Sequence, residues 1–172
     1  TATSSMPNES IVRTVEELDD REKVFPALSM MDTTYDGYAI EKIDSDTYSL
    51  EEISIRFRNY LAKEEKLYFD LDTIRFFVSG FAASHFMILE GLSGTGKSSL
   101  PRYFAKFIHA DVLFIPVQAT YRDKTNLIGY FNDFSKTYTE TEFLISLYHA
   151  NYNPDQIHFF VLDEMNISRV EY

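Results

Sequence analysis

The feature that most constrains this chain is a glycine loop, Gly91-Leu92-Ser93-Gly94-Thr95-Gly96-Lys97-Ser98, set between the apolar run Phe86-Met87-Ile88-Leu89 and the segment Ser99-Leu100-Pro101-Arg102-Tyr103-Phe104. It reads as strand, loop and helix. The spacing G-x-x-x-x-G-K-S is complete, and each part has a chemical reason. Several backbone N–H groups must converge on the oxygens of a polyphosphate, and Gly91, Gly94 and Gly96 permit positive φ and close approach. Lys97 reaches the β- and γ-phosphates, while the hydroxyl of Ser98 is placed to ligate the Mg²⁺ that bridges them. The helix beginning near Lys97 adds its positive end at the same point. Ser93, Thr95 and Ser99 complete the expected nucleotide-binding set. A plain Gly/Ser surface turn would need neither the apolar run before the loop nor the helix after it.

A second constellation lies near the C-terminus, in Ile157-His158-Phe159-Phe160-Val161-Leu162-Asp163-Glu164. Two carboxylates closing an apolar strand are costly in a plain core, because ionised groups resist desolvation. At the C-terminal end of a parallel strand a ligand site is expected. Beside a phosphate loop the roles divide: Asp163 holds Mg²⁺ through its water shell, and Glu164 orients and polarises the attacking water. Lys97 and Glu164 are therefore the expected catalytic pair, with Ser98 and Asp163 on the metal. A carboxylate directly after the magnesium aspartate suits an enzyme that carries its own base. A small-molecule kinase or a GTPase of the Ras type does not need one.

Composition sets the frame for these motifs. With 172 residues, 45% of them hydrophobic, the chain has room for one ordinary domain and an extension, its core rich in Phe (15) and Tyr (12) and lacking Trp. No apolar run approaches the roughly 20 residues that span a bilayer. There is no Cys, and the polar opening Thr1-Ala2-Thr3-Ser4-Ser5 lacks the segments of a secretory signal, so a soluble protein in the reducing cytoplasm is expected. The net charge of −11 is uneven: residues 1–72 hold 17 of the 27 acidic groups but 8 of the 16 basic ones. Nothing in this balance supplies the basic face of a nucleic-acid binder. A solvated acidic surface is the simpler reading. The first residue is not Met, which suggests a chain processed, tagged or cut from something longer.

In chain order, residues 1–49 read as an acidic, weakly structured arm, with a short helix suggested by Ile11, Val12, Val15 and Leu18, and with Phe25, Tyr35, Tyr38 and Tyr48 implying some packing. Residues 50–172 read as a nucleotide-binding domain. Leu50, Ile53, Phe57, Tyr60 and Leu61 recur at helical spacing. Leu71, Ile74, Phe77, Val78 and Phe81 do so again after a cap at Asp70 or Asp72. A strand buried on both faces is expected at 85–90, and a second over 111–117 with Pro116 near its end; with the intervening helix these imply a parallel βαβ unit. A short helix near 123–129 stopped by Gly129, an exposed loop, a helix over 141–150 and a turn at Asn153-Pro154-Asp155 precede the Asp-Glu strand. His85, His109, His149 and His158 fall on different elements without metal-ligand spacing and read as unrelated structural or surface groups.

With both motifs placed, the chain resembles an AAA+ ATPase of the branch that holds dynein-related, MoxR-like and McrB-type modules. Leu89-Glu90 with the glycine loop is similar to that branch's phosphate loop, and residues 118–132, with Leu127-Ile128-Gly129-Tyr130, resemble the segment after its second strand, where Tyr121 stands in place of a frequent Trp. Asp163-Glu164-Met165-Asn166-Ile167-Ser168-Arg169-Val170-Glu171-Tyr172 resembles the branch's D-E-M-N-x-[AS]-R-V-E-Y, the more selective motif. The likeness covers about residues 65–172. It implies a P-loop NTPase with a three-layer αβα core and parallel sheet, using ATP (or GTP, since the loop contacts phosphates and is blind to the base) with Mg²⁺. It further implies a homo-oligomer or ring, and a place for Asn166 and Arg169 toward a neighbouring subunit or the pore. The family's sensor strand lies between the phosphate-loop strand and the Asp-Glu strand but comes later in sequence. Only eight residues follow Glu164. The resemblance therefore predicts a sheet left open in its middle, and a chain that is the front part of a longer protein. A nucleotide-binding scaffold or regulatory subunit with little hydrolysis is one alternative function, and by the resemblance a GTP-using McrB-type restriction subunit is another.

Overall fold

The computed structural model describes residues 20–35 and 48–167. The short helix read at 11–18, Tyr38 and Arg169 lie outside the described residues. Helix α3, Leu50–Lys63, begins at a reciprocal capping box: Ser49 accepts from the Glu52 backbone N–H, and the Glu52 carboxylate accepts from Ser49 N at 2.9 Å. Helix α4, Leu71–Ala83, begins at Asp70, whose carboxylate accepts from Thr73 N at 2.8 Å. Both helices form where the apolar period and the caps place them. For the numbering used here, α1 is Asp20–Val24 and α2 is Pro26–Tyr35.

The apolar stripes of α3 and α4 meet the helix that follows the glycine loop, α5, Ser99–Phe107. Phe57, Leu61 and Ile74 are fully buried there, with Phe77, Val78, Leu100 and Phe104 nearly so. Phe104 is the hub of this cluster. Its ring makes edge contacts with Phe57 at 5.0 Å, Phe77 at 5.3 Å and Phe81 at 5.4 Å between centroids, an arrangement that aligns ring edges with the negative faces of their neighbours. Pro101 is tolerated because it sits in the first turn of α5, where its missing N–H has no helical partner to lose.

Two strands, β1 at Asp111–Pro116 and β4 at His158–Asp163, pair in parallel with Asp111 opposite His158 and Pro116 opposite Asp163. Side chains alternate across this ladder. Phe159 stacks on Phe81 of α4 at 5.0 Å, while Phe160 meets Phe143 of the helix α7, Glu142–Tyr152, at 5.4 Å. Helices thus cover both faces of a small parallel sheet, and the chain is a mixed α/β structure.

Three expectations are corrected. Residues 85–90 do not form a hydrogen-bonded strand and join neither sheet. Met87 and Leu89 pack on the core, but Phe86 and Ile88 are 76% and 78% exposed. The alternation is that of an extended segment seated on one face only. The expected βαβ unit through α5 is therefore not closed by a ladder; among the described residues β1 and β4 have one neighbour each, β4 is half-buried, and Asp111, Val112 and Pro116 of β1 are exposed. The exposed loop after Gly129 is in fact an antiparallel hairpin, β2 at Tyr130–Asn132 and β3 at Thr137–Thr139, following the one-turn helix α6, Thr125–Ile128. Asn132 shapes its turn by accepting from Phe134 N and Ser135 N through Oδ1.

The third correction concerns the N-terminal arm, whose described part is helical. The Glu140 carboxylate accepts from Ala27 N at 2.8 Å and Leu28 N at 3.0 Å, capping α2 from the loop before α7. At the other end of α2, Asp32 accepts from Tyr148 and Tyr152 and pairs with Arg21 at 2.7 Å. Glu140, Tyr148 and Tyr152 are more than 100 residues away in sequence from the groups they bind, so no local period announced the helices. The hydrogen bonds from Tyr152 and Tyr148, with the Arg21 charge, hold Asp32 below the usual carboxylate range. No helix among the described residues is long and apolar enough to cross a membrane.

Phe57→Ala is expected to cost about 3–5 kcal/mol in urea unfolding followed by circular dichroism, whereas Phe134→Ala, at a ring 101% exposed, changes stability by less than about 0.5 kcal/mol. Because the Asp32 pKa is depressed by folding, its contribution is present above the unfolded value near 4 and is lost as pH falls through the folded value. Melting temperatures measured below about pH 4 should therefore fall less steeply for Asp32→Asn than for the wild type.

Candidate functional site

The glycine loop leaves the core at residue 90 and returns to it at α5. Gly94 and Gly96 hold φ of 80° and 89°, and Gly91 a φ of 154°. Gly96 has a steric reason as well: a Cβ there would stand 2.5 Å from Cζ of Phe69, whereas one on Gly94 would meet nothing within 4 Å. The loop closes on itself through Thr95, whose hydroxyl donates to Leu92 O at 2.8 Å. Lys97 Nζ donates to Gly91 O at 2.8 Å and Leu92 O at 2.6 Å, so its ammonium lies against the loop's own carbonyls. At the loop's end the N–H groups of Ser99 and Leu100 bond Gly96 O, which starts α5 two residues later than expected.

Ser98 occupies the N-cap of α5 but makes no side-chain cap bond. Its hydroxyl instead donates to Asp163 Oδ1 at 2.9 Å. The same oxygen accepts from the Glu164 N–H at 3.0 Å, and the Asp163 carbonyl accepts from Val117 N, also at 3.0 Å. Asp163 is half-buried and Glu164 exposed, with Glu164 in the left-handed region at φ 56°. That backbone turn follows the last paired residue of the ladder, Asp163. Asn166 is exposed within a short 3₁₀ turn, Met165–Ile167.

The structure thus brings together Gly91, Ser93, Gly94, Thr95, Gly96, Lys97 and Ser98 in one loop, places Ser99 at the start of its helix, and joins Ser98 to Asp163. Those two hydroxyl and carboxylate oxygens are the hard donors that suit Mg²⁺, and their adjacency fits such an ion. Sequence reasoning missed Phe69. It lies in the connection between α3 and α4, and no spacing rule connects it to Gly96. It also missed a relation among the histidines: His149 of α7 and His158 of β4 stand edge to face with centroids 6.1 Å apart, which corrects the reading of four unrelated groups.

No family model, curated protein or solved structure matches this chain.

Gly94→Ala should lose about 1–2 kcal/mol, the cost of a left-handed L-residue. Gly96→Ala should lose more, because of the Phe69 contact. In a Phe69→Ala background the excess at Gly96 should disappear; a thermodynamic cycle from urea unfolding in which the two losses simply add would rule the contact out.

Proposed function

We propose that the chain binds a nucleoside triphosphate with Mg²⁺ and hydrolyses it, as the nucleotide-binding part of an AAA+-type P-loop ATPase that works as an oligomer. The observation that carries the reading is the 2.9 Å hydrogen bond between Ser98 Oγ and Asp163 Oδ1. It joins a complete phosphate-loop motif to an Asp-Glu strand end 65 residues away, an encounter that the chemistry of phosphoryl transfer requires and that a surface turn would not. Parallel pairing of β1 with β4, with helices on both faces, supports a three-layer P-loop core.

In this reading the backbone N–H groups around Gly94 and Gly96 receive the phosphate oxygens, and Lys97 exchanges its bonds to Gly91 O and Leu92 O for bonds to the β- and γ-phosphates. Ser98 and Asp163 would hold Mg²⁺, which would supply neutralisation of the negative charge on the phosphates. Glu164, exposed beside Asp163, accepts a proton from the water whose oxygen attacks the γ-phosphorus, while the bond from that phosphorus to the β–γ bridging oxygen breaks and the nucleoside diphosphate leaves. The base is not read by these contacts, so ATP and GTP are both admitted.

Fluorescence anisotropy with a labelled ATP, competed by unlabelled ATP and GTP in the presence of Mg²⁺, tests binding directly. Lys97→Ala should weaken binding at least tenfold, and absence of binding by the wild type overturns the proposal. Glu164→Gln should keep binding and reduce phosphate release by about 10²–10⁴ relative to whatever rate the wild type sustains in its assembled form. Binding with a raised melting temperature but no release by that assembly would favour the nucleotide-dependent scaffold.

A further inference from the structure

We infer that a transition-metal ion of the Zn²⁺ type binds at the N-terminal end of the β1–β4 pair, held by Asp111, His149 and His158. The inference is independent of the nucleotide reading. Asp111 opens β1 and His158 opens β4, and the parallel register sets them directly opposite, so their side chains share one face of the sheet. That face is the one covered by α7, as the Phe160–Phe143 contact shows, and α7 contributes His149 in its last turn. One ligand atom from each residue lies within 4.8 Å of the other two. An ion at the centre of such a triangle is at most about 2.8 Å from each atom, and side-chain rotations of less than about 1 Å bring the distances to the 2.0–2.2 Å of zinc–nitrogen and zinc–oxygen bonds.

His158 supplies the separate observation that points to a ligand. Its side chain is only 9% exposed, its Nδ1 stands 3.5 Å from Asp111 Oδ2, and its Nε2 is buried with no hydrogen-bond partner. A buried imidazole nitrogen left unsatisfied costs the desolvation of that atom. Rotation of the ring onto a metal would turn this cost into a coordinate bond. The three residues line a cavity of roughly 220 Å³ with Val112, Ser146 and Phe160, which leaves room for a water as fourth ligand. His149 is held in place by the Tyr35 hydroxyl at 2.7 Å from Nε2, which can accept the Nε2 proton while Nδ1 ligates, the kind of outer support that orients ligating histidines.

Two imidazoles and one carboxylate suit Zn²⁺ or Co²⁺ and disfavour Mg²⁺, which prefers an all-oxygen shell. The site is at the opposite end of β4 from Asp163, about 16 Å along the strand. It joins α7 to both strands, so a bound ion would fasten the N-terminal end of the sheet.

The test uses the whole chain, stripped with a chelator and titrated with Co²⁺ and then Zn²⁺. About one equivalent of Co²⁺ should give the intense visible absorption of a four-coordinate ion, displaced by Zn²⁺ and untouched by excess Mg²⁺. Asp111→Asn, His149→Gln and His158→Gln should each weaken Zn²⁺ binding at least tenfold, while His85→Gln and His109→Gln leave it unchanged. Should a substitution prevent folding, the wild type alone decides the matter by proton NMR of its four histidines. Selective shifts of two ring signals, those lost in the His149 and His158 variants or broadened by Co²⁺ at close range, support the site. Equal perturbation of all four, or no stoichiometric binding, overturns it.

Discussion

The register of the parallel ladder between β1 and β4 decides which side chains meet in this molecule. With Pro116 level with Asp163, the C-terminal end of the pair delivers the carboxylate to the first residues of α5, where Ser98 waits. With Asp111 level with His158, the other end gathers an acid and an imidazole under α7. A slip of one residue would turn His158 and Phe160 to the α5 face and Phe159 to the α7 face, breaking the ring contacts that fix each layer. Both candidate sites therefore depend on one set of hydrogen bonds between strands whose paired residues are 47 apart in sequence (158 against 111).

Helix α5 gives that ladder its link to the rest of the core. Its first turn carries the end of the glycine loop and its middle carries Phe104, which touches α3 and α4 and also meets Phe159 of β4 at 6.1 Å. The loop is thus mounted on a helix whose apolar face is packed on two sides. The N-terminal helices are attached differently, by polar bonds to Glu140 and from Tyr148 and Tyr152 alongside ring contacts of Phe25 with Tyr138 and Tyr35 with Tyr152. Packing alone fixes one half of the structure, and packing joined with specific hydrogen bonding the other.

How much of this was legible follows from the range of the forces involved. Helices α3 and α4 could be read because their apolar stripes and caps are local, with Ser49–Glu52 and Asp70–Thr73 only three residues apart. The glycine loop and Asp163-Glu164 could be read because phosphate chemistry dictates the spacing and the side chains. The apolar run at 86–89 announced burial but not a partner, and only half of its side chains found a surface. The hairpin strands are three residues each, too short for an alternation to register. Phe69 against Gly96, and His149 beside His158, are tertiary meetings without a local signature.

The one-sided seating of residues 86–90 has a mechanical consequence. The glycine loop is a beam clamped at one end: past Ser98 it is held by helical hydrogen bonds, an aromatic core and a tie to Asp163. Before Gly91 it rests on Met87 and Leu89, with no ladder bond along its backbone among the described residues. Load applied to the loop is transmitted into α5 and β4 almost rigidly, while its upstream limb gives way first. Amides at 86–92 should then exchange with solvent at lower energies than those of 99–107. The stiffness of this loop is set by what grips the backbone of residues 86–90.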